Sequence, residues 1–191
     1  EIGSGLVGSE MCIRDRVKGT PKNYDIWSTI TDVVLSDERR IEDGKIDIQG
    51  LGPTGTMVYA DPDFIHQVVY NIVDNAIKFT PAGGTVSVRV RQLAGKVHGC
   101  GQYEFRIKDN GIGMSPEFAQ KIFEPFERER TSTVSRIQGT GLGMAISKNI
   151  VDMMGGTIEV QTAPGKGSEF IVRVPLRIQA EHRKAEKVPA L

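Results

Sequence analysis

The segment from Pro62 to Phe79 constrains the fold most strongly, because it has the periodicity of a long amphipathic helix. Asp61 and Pro62 are typical of the N-cap and the first position of a helix, and residues 80–84 end the pattern. Its apolar residues recur at spacings of three and four and form one stripe: Phe64, Ile65, Val68, Val69, Ile72, Val73, Ala76 and Ile77. Such a stripe must be buried against a second layer, so the chain is expected to fold around this helix.

The remaining elements predict a mixed α/β domain. Helical spacing runs over 24–41, and two further helices are predicted over 116–122 and 142–154. Alternating apolar residues predict strands over 45–49, 56–59, 85–91, 103–107, 157–162 and 168–175. The last two strands are separated by a glycine-containing turn and predict an antiparallel hairpin. The irregular order of helices and strands disfavours a doubly wound parallel sheet.

Length and charge limit the function classes. The 191 residues suit one domain, predicted over 17–178, with a non-native or disordered leader over 1–16 and a charged tail over 179–191. Lys plus Arg and Asp plus Glu each number 24, so no global field attracts nucleic acid or an anionic membrane. The longest uncharged run, 48–60, is shorter than the ~20 apolar residues of a membrane span. We therefore expect no nucleic acid and no membrane contact by this domain.

The polar face of the long helix is the first group of residues that suggests chemistry. Asn71, Asp74, Asn75, Lys78 and Phe79 have the offsets of a single helix face. Amide oxygens suit Mg²⁺, and amides and an ammonium group suit phosphate. The alternative is a solvated face with an Asp–Lys pair four residues apart.

Two glycine-rich segments form the second and third groups. Residues 108–114 follow a strand and combine Asp109 with closely spaced glycines, which suits the approach of a flat ligand or, alternatively, an Asx turn. Residues 139–143 open a helix, where free backbone N–H groups bind anions. This second segment has neither the spacing of a dinucleotide fingerprint nor that of a P-loop.

A fourth group follows the short helix over 116–122. Residues 123–126 read Phe-Glu-Pro-Phe, and the long polar loop 127–138 after them contains Arg128, Arg130 and Arg136. A loop of this kind suits a mobile lid over an anion site. The alternative is a plain surface loop.

Taken in this order, the four groups resemble the ATP-binding catalytic domain of bacterial sensor histidine kinases, within the gyrase, chaperone, kinase and mismatch-repair ATPase superfamily. The matching boxes are the N box at 71–80, the first glycine box at 109–114, the F box at 123–126 and the second glycine box at 139–143. The resemblance covers about 24–176. It implies a two-layer sandwich of the Bergerat type, with a mixed, mostly antiparallel sheet and helices on one face.

The resemblance also implies a role for each matching residue, with ATP and Mg as cofactors. Asn75, with Asn71 nearby, would ligate Mg²⁺, Lys78 would contact phosphate, and Phe79 would flank the base or ribose. Asp109 would accept a hydrogen bond from the adenine amino group. The residues implied to lie along the nucleotide or hold its phosphates are Gly111, Ile112, Gly113, Gly139, Thr140, Gly141, Leu142 and Gly143. One of the three lid arginines would reach the γ-phosphate, without a choice among them.

One residue separates reaction types within the superfamily. Its hydrolytic members carry a glutamate where this chain has Asn71, and asparagine cannot act as a base. The resemblance therefore implies a kinase of two-component signal transduction, in which the γ-phosphate goes to a histidine on a separate helical-hairpin domain and then to a response regulator. No histidine motif of that kind precedes Tyr24.

Further expectations follow from the resemblance. The domain would work in the cytoplasm as part of a homodimeric parent, which a membrane can anchor, and its lid sequence is similar to that of hybrid kinases with a receiver domain. Two alternatives stay open at this point. One is a stand-alone serine-protein kinase of the anti-sigma type, and the other is a nucleotide-binding interaction module without transfer.

Overall fold

The computed structural model describes residues 20–50, 57–93, 100–129 and 139–178. The helices are α1 (Ile26–Ser36), α2 (Glu38–Gly44), α3 (Pro62–Phe79), α4 (Pro116–Ala119) and α5 (Gly143–Met153). The strands are β1 (Lys22–Asp25), β2 (Asp47–Gln49), β3 (Met57–Ala60), β4 (Thr85–Leu93), β5 (Cys100–Asp109), β6 (Thr157–Ala163) and β7 (Gly167–Ile178).

These strands form one mixed sheet. Its order is β1-β3-β7-β5-β4-β2, and β6 pairs with β7 on the same edge of β7 as β3. Every pair is antiparallel except β2 with β4, so the predicted mostly antiparallel sheet is confirmed. The long strands β5 and β7 pair over most of their length, from Cys100 opposite Arg177 to Lys108 opposite Glu169. They form the centre on which the helices pack.

The helices cover one face of this sheet. Alternate residues of β5 and β7, including Phe105 and Val172, are buried against α3 and α5. The apolar stripe of α3 is part of that core, with Ile72 and Val73 fully buried. Burying each such side chain contributes about 1.5–3 kcal/mol, so the helix layer and the sheet stabilise one another. The two-layer arrangement predicted for the family is confirmed.

The opposite face of β5 and β7 is polar. Glu104 is buried there by its neighbours and accepts hydrogen bonds of 2.8 Å from Arg106 Nε and from Arg173 Nε. Glu169 and Glu159 extend the network at longer distances. Cross-strand pairs of opposite charge stabilise a sheet face without a second layer.

The predicted helix over 24–41 is wrong in two respects. The chain forms the edge strand β1 first, pairing Lys22–Asp25 with β3, and the Asp25 side chain then caps α1 by accepting from Trp27 N. The helix also breaks at Asp37, which separates α1 from α2. Periodicity missed the strand because its four residues are ordered by a partner more than 30 residues away.

The other predicted elements are present with shifted ends. The helix over 62–79 has the bounds expected, whereas β5 and β7 are longer than predicted. The leader over 1–16 and the tail over 179–191 lie outside the described residues. None of the helices in the described part of the chain combines the length and the hydropathy needed to cross a membrane.

Candidate functional site

A cavity of about 230 Å³ lies between the polar face of α3, the loop that follows β5 and the start of α5. It brings together most of the residues that the sequence singled out. The predicted site residues that line it are Asn71, Asn75, Lys78, Phe79, Asp109, Ile112, Gly113, Gly139, Thr140, Gly141 and Gly143. Segments separated by up to 72 positions in the sequence therefore meet at one site.

Asp109 lies at the end of β5 and forms the buried part of this cavity. Its side chain is only 5% exposed, and its Oδ1 accepts from the backbone N–H of Gly111 at 2.8 Å and of Ser168 at 3.3 Å. Burial raises the pKa of this carboxyl, while hydrogen bonds from backbone N–H groups, including those of Gly111 and Ser168, oppose that rise. No donor to Oδ2 occurs within the described residues, so this oxygen is the acceptor that a ligand's amino group can use.

The glycines after Asp109 are required by packing. A Cβ on Gly111 would lie 2.3 Å from the Phe79 carbonyl oxygen, which also accepts from Ile112 N at 3.1 Å. Gly113 has a φ of 65°, and its Cβ would lie 1.9 Å from the Ala163 carbonyl oxygen. The loop is thus fixed between the end of α3 and the β6–β7 hairpin.

The two glycines differ in their position relative to the cavity. Gly113 lines the cavity, but Gly111 is buried behind the loop and is not among the lining residues. The resemblance implies that both lie along a nucleotide, and this stays a prediction. In the structure, the lack of a side chain at Gly111 lets the loop approach the last turn of α3.

The polar face of α3 carries the charged part of the cavity. Lys78 Nζ donates to Asp74 Oδ2 at 2.5 Å, and Asp74 Oδ1 accepts from Arg40 Nη1 at 2.7 Å. Asn75 lines the cavity, and no described hydrogen bond involves its side chain. Its amide group therefore keeps both its donor and its acceptor for a ligand.

The side chain of Asn71, unlike that of Asn75, makes hydrogen bonds that connect α3 to α5. Its Nδ2 donates to the Gly143 carbonyl at 2.9 Å and to Ser147 Oγ at 3.0 Å, while its Oδ1 accepts from Gln67 Nε2 at 3.0 Å. Ser147 is fully buried. The side chain thus fixes where α5 begins relative to the polar face of α3.

The start of α5 forms the third wall. Gly139, Thr140, Gly141 and Gly143 line the cavity, whereas Leu142 is the N-cap residue and does not. The first N–H groups of a helix have no intrahelical partner and favour anions. The F box is attached here, because Phe126 N donates to the Gly141 carbonyl at 2.9 Å.

The donor set fits Mg²⁺ only when a ligand supplies further oxygens. Within the described ranges, no group of three or more His, Cys, Asp or Glu side chains could hold a metal. Asn75 offers one amide oxygen, whereas that of Asn71 already accepts from Gln67. Protein Mg²⁺ sites often combine one or two side-chain oxygens with phosphates and water, and this cavity suits that arrangement.

Several residues that line the cavity were not predicted as site residues from the sequence. Asp74 was noted on the helix face without a role, and the cavity also contacts Met114, Phe118, Ile122, Glu127, Glu129, Met144, Ser168 and Phe170. The apolar ones follow ordinary core spacing, so nothing in the sequence separates them from the core. Among the lid arginines, Arg128 lines the cavity, and Arg130 and Arg136 lie outside the described residues.

Comparison with known proteins agrees with this geometry. Residues 60–178 match the family described as histidine kinase-, DNA gyrase B-, and HSP90-like ATPase, and the chain belongs to that family. It is 34% identical over 170 residues to the autoinducer 2 sensor kinase/phosphatase LuxQ of Vibrio vulnificus, covering 87% of this chain and 19% of LuxQ.

Solved structures place the chain within the same family. A mycobacterial sensor histidine kinase, MprB, superposes with a TM-score of 0.68 at 29% identity, covering 84% of this chain and all of that one. Full-length ShkA in complex with AMPPNP superposes with a TM-score of 0.67 at 27% identity, covering 87% of this chain and 33% of that one. The chain spans 12% to 43% of the length of the curated relatives it matches.

Proposed function

We propose that this domain binds Mg-ATP in the cavity and transfers the γ-phosphate to a histidine on a separate phosphoacceptor hairpin domain. The observation that carries the proposal is the meeting of a buried hydrogen-bond acceptor, Asp109, with an anion-binding helix start and an uncommitted amide, Asn75, in one cavity. The relative ShkA was solved with AMPPNP, an ATP analogue, which supports a nucleotide as the ligand.

The buried end suits adenine. Asp109 Oδ2 accepts from the exocyclic amino group, and a base with a carbonyl at that position, such as guanine, meets a second acceptor instead. Leaving a buried acceptor unpaired costs about 1–3 kcal/mol, which is enough to select ATP over GTP. Ile112 and Phe79 add apolar surface beside the base.

The open end suits the triphosphate. Lys78 provides a cationic point charge, and residues 139–143 provide backbone N–H groups at the start of α5. Bound Mg²⁺ would neutralise part of the phosphate charge, with Asn75 as its side-chain ligand. These residues orient the γ-phosphate and contribute by positioning and electrostatics.

Position 71, where the hydrolytic members of the superfamily carry a glutamate, offers no base for hydrolysis in this chain. Asn71 has no carboxylate, and its amide is engaged with Gly143, Ser147 and Gln67. Water is therefore not activated at this position, which favours transfer to an added nucleophile. A histidine on a hairpin domain of a homodimeric parent is the acceptor that the family resemblance implies, with a response regulator downstream and the cytoplasm as the place of action.

Calorimetric titration of the chain with ATP and Mg²⁺ tests the first half of this proposal, with GTP as the control. We expect ATP to bind, GTP to bind at least tenfold more weakly, and ATP binding to weaken when EDTA removes Mg²⁺. Absence of ATP binding by a chain with a cooperative unfolding transition would refute the proposal.

Phosphotransfer tests the second half. The chain is incubated with radiolabelled ATP and a purified hairpin domain carrying the acceptor histidine, beside the same domain with that histidine changed to alanine. We expect an acid-labile label on the first domain only. Binding without any label would favour an interaction module, and an acid-stable label on a supplied protein substrate would favour a serine kinase.

A further inference from the structure

Charged side chains form a chain of alternating sign that leads into the cavity from the junction of α1 and α2. Arg40 Nη1 contacts Asp37 Oδ1 and Asp74 Oδ1, each at 2.7 Å. Asp74 Oδ2 in turn contacts Lys78 Nζ at 2.5 Å. Asp74 and Lys78 line the cavity, whereas Arg40 and Asp37 do not.

The burial of these groups differs along the chain. Asp37 is 7% exposed and its Oδ2 has no hydrogen-bond partner in the described part of the chain, while Asp74 is 13% exposed. Arg40 is 40% exposed and serves both carboxylates through one nitrogen atom. Without Arg40, two poorly solvated carboxylates would have Lys78 as their single cation in this chain of contacts.

We propose that Arg40 is a positioning residue for phosphate binding, which acts by neutralising Asp74 so that Lys78 remains available to the triphosphate. The inference rests on the proposed function, because it assumes that Lys78 contacts phosphate. It assigns a role to a residue outside the cavity, on a helix that precedes the N box by more than 20 positions.

The physical reason is competition for one ammonium group. Asp74 attracts Lys78 at hydrogen-bond distance, and a triphosphate must share or replace that contact. Arg40 holds the other oxygen of Asp74, which lowers the charge that Asp74 presents to Lys78 and to the phosphates. Loss of Arg40 therefore strengthens the hold on Lys78 and adds uncompensated negative charge beside the triphosphate.

The test compares Arg40→Gln, Arg40→Lys, Asp74→Asn and the double variant Arg40→Gln/Asp74→Asn, with Arg39→Gln as the matched control. Arg39 is an exposed arginine of the same helix. Affinities for Mg-ATP and for adenosine are measured by calorimetry or by displacement of a fluorescent nucleotide. Adenosine reports on the base end alone, so a loss confined to ATP identifies an effect at the phosphates.

We expect Arg40→Gln to weaken ATP affinity by about two- to fivefold, the scale of one partly exposed ion pair, with adenosine affinity unchanged. Arg40→Lys should bind ATP like the wild type, because a single donor atom serves both carboxylates. Asp74→Asn should bind ATP at least as tightly as the wild type, and the double variant should regain most of the affinity.

Three results would overturn the inference while the wild type still binds ATP. The first is equal ATP affinity in Arg40→Gln and Arg39→Gln. The second is an equal loss of ATP and adenosine affinity, which would indicate a structural role. The third is weaker ATP binding by Asp74→Asn than by the wild type. This variant tests the inference even if Arg40→Gln does not fold. Failure of the wild type to bind ATP would instead refute the proposed function.

Discussion

The two ends of the cavity are built in different ways. At the buried end, Asp109 is fixed by backbone N–H groups, and the loop after it fits between two other backbone segments. At the open end, Asn75 and Lys78 are partly exposed side chains on one helix face, and Lys78 is held by an ion pair with Asp74. The first end depends on close packing, and the second depends on charge.

This difference predicts different responses to substitution. A change that disturbs the backbone packing at the buried end affects folding and binding together, because the same packing fixes the loop and presents Asp109. A change at the open end leaves the core intact and alters what the cavity does with phosphates. Variants that separate stability from affinity therefore test whether the two ends are distinct.

The largest expected effect is on stability at the buried end. Gly113→Ala places a Cβ 1.9 Å from the Ala163 carbonyl oxygen at a φ of 65°, and we expect a loss of about 3 kcal/mol or more in the free energy of unfolding. Gly165→Ala is the control, because its φ is 71° and nothing lies within 4 Å of its Cβ. It should lose about 1–2 kcal/mol. Equal losses in urea denaturation would contradict the close packing.

Asp109→Asn should separate affinity from stability at the same end. We expect ATP affinity to fall by about 1–3 kcal/mol, since the acceptor loses its charge and Asn can present a donor there. The free energy of unfolding at pH 7 should stay level or rise, because burial raises the pKa of Asp109 and its charged form is disfavoured.

The difference in stability between the wild type and Asp109→Asn should depend on pH. A carboxyl whose folded pKa lies above its unfolded value of about 3.9 binds protons more tightly in the folded state. The wild type therefore loses stability relative to Asp109→Asn as the pH rises above about 4, and the difference levels off above the folded pKa. Denaturation curves between pH 3 and 7 measure this difference, and a wild type that gains stability relative to Asp109→Asn with rising pH would contradict the prediction.

Asn75→Ala tests the open end. We expect the Mg²⁺-dependent part of ATP binding to disappear, at a cost of about 1–2 kcal/mol in affinity, with adenosine affinity and the free energy of unfolding nearly unchanged. The side chain makes no described hydrogen bond, so its removal leaves no partner unsatisfied. Calorimetry with Mg²⁺ and with EDTA measures the effect, and an unaltered Mg²⁺ dependence would remove Asn75 from the metal site.

The smallest expected effect is that of Gln67→Ala, which removes the donor to Asn71 Oδ1. Gln67 is exposed, so stability should change by about 0.5 kcal/mol or less. ATP affinity should change less than threefold if Asn75 is the main metal ligand. A large gain in Mg²⁺-dependent affinity would show that the freed Asn71 oxygen joins the metal.

The sequence predicted α3 and its polar face well, because an 18-residue amphipathic helix carries its own periodicity and capping residues. It predicted β1 poorly, since an edge strand of four residues exists only through its pairing with β3. The chemistry and spacing of the residues singled out the polar helix face and the two glycine-rich segments that line the cavity, and the resemblance added their implied roles. Phe118, Ile122 and Phe170 were not found, because an apolar residue beside a cavity has the same spacing as one in the core.

By itself, the sequence determined the residue types that meet at the cavity and their order along the chain. It also determined that residue 71 is an amide and not a carboxylate, because that depends on one side chain's chemistry. Only the tertiary structure decided that Asn71 ties α3 to α5, that Gly111 packs against Phe79, and that Arg40 reaches Asp74. Hydrogen bonds and steric contacts act over a few ångströms, so these roles exist only after folding brings distant segments together.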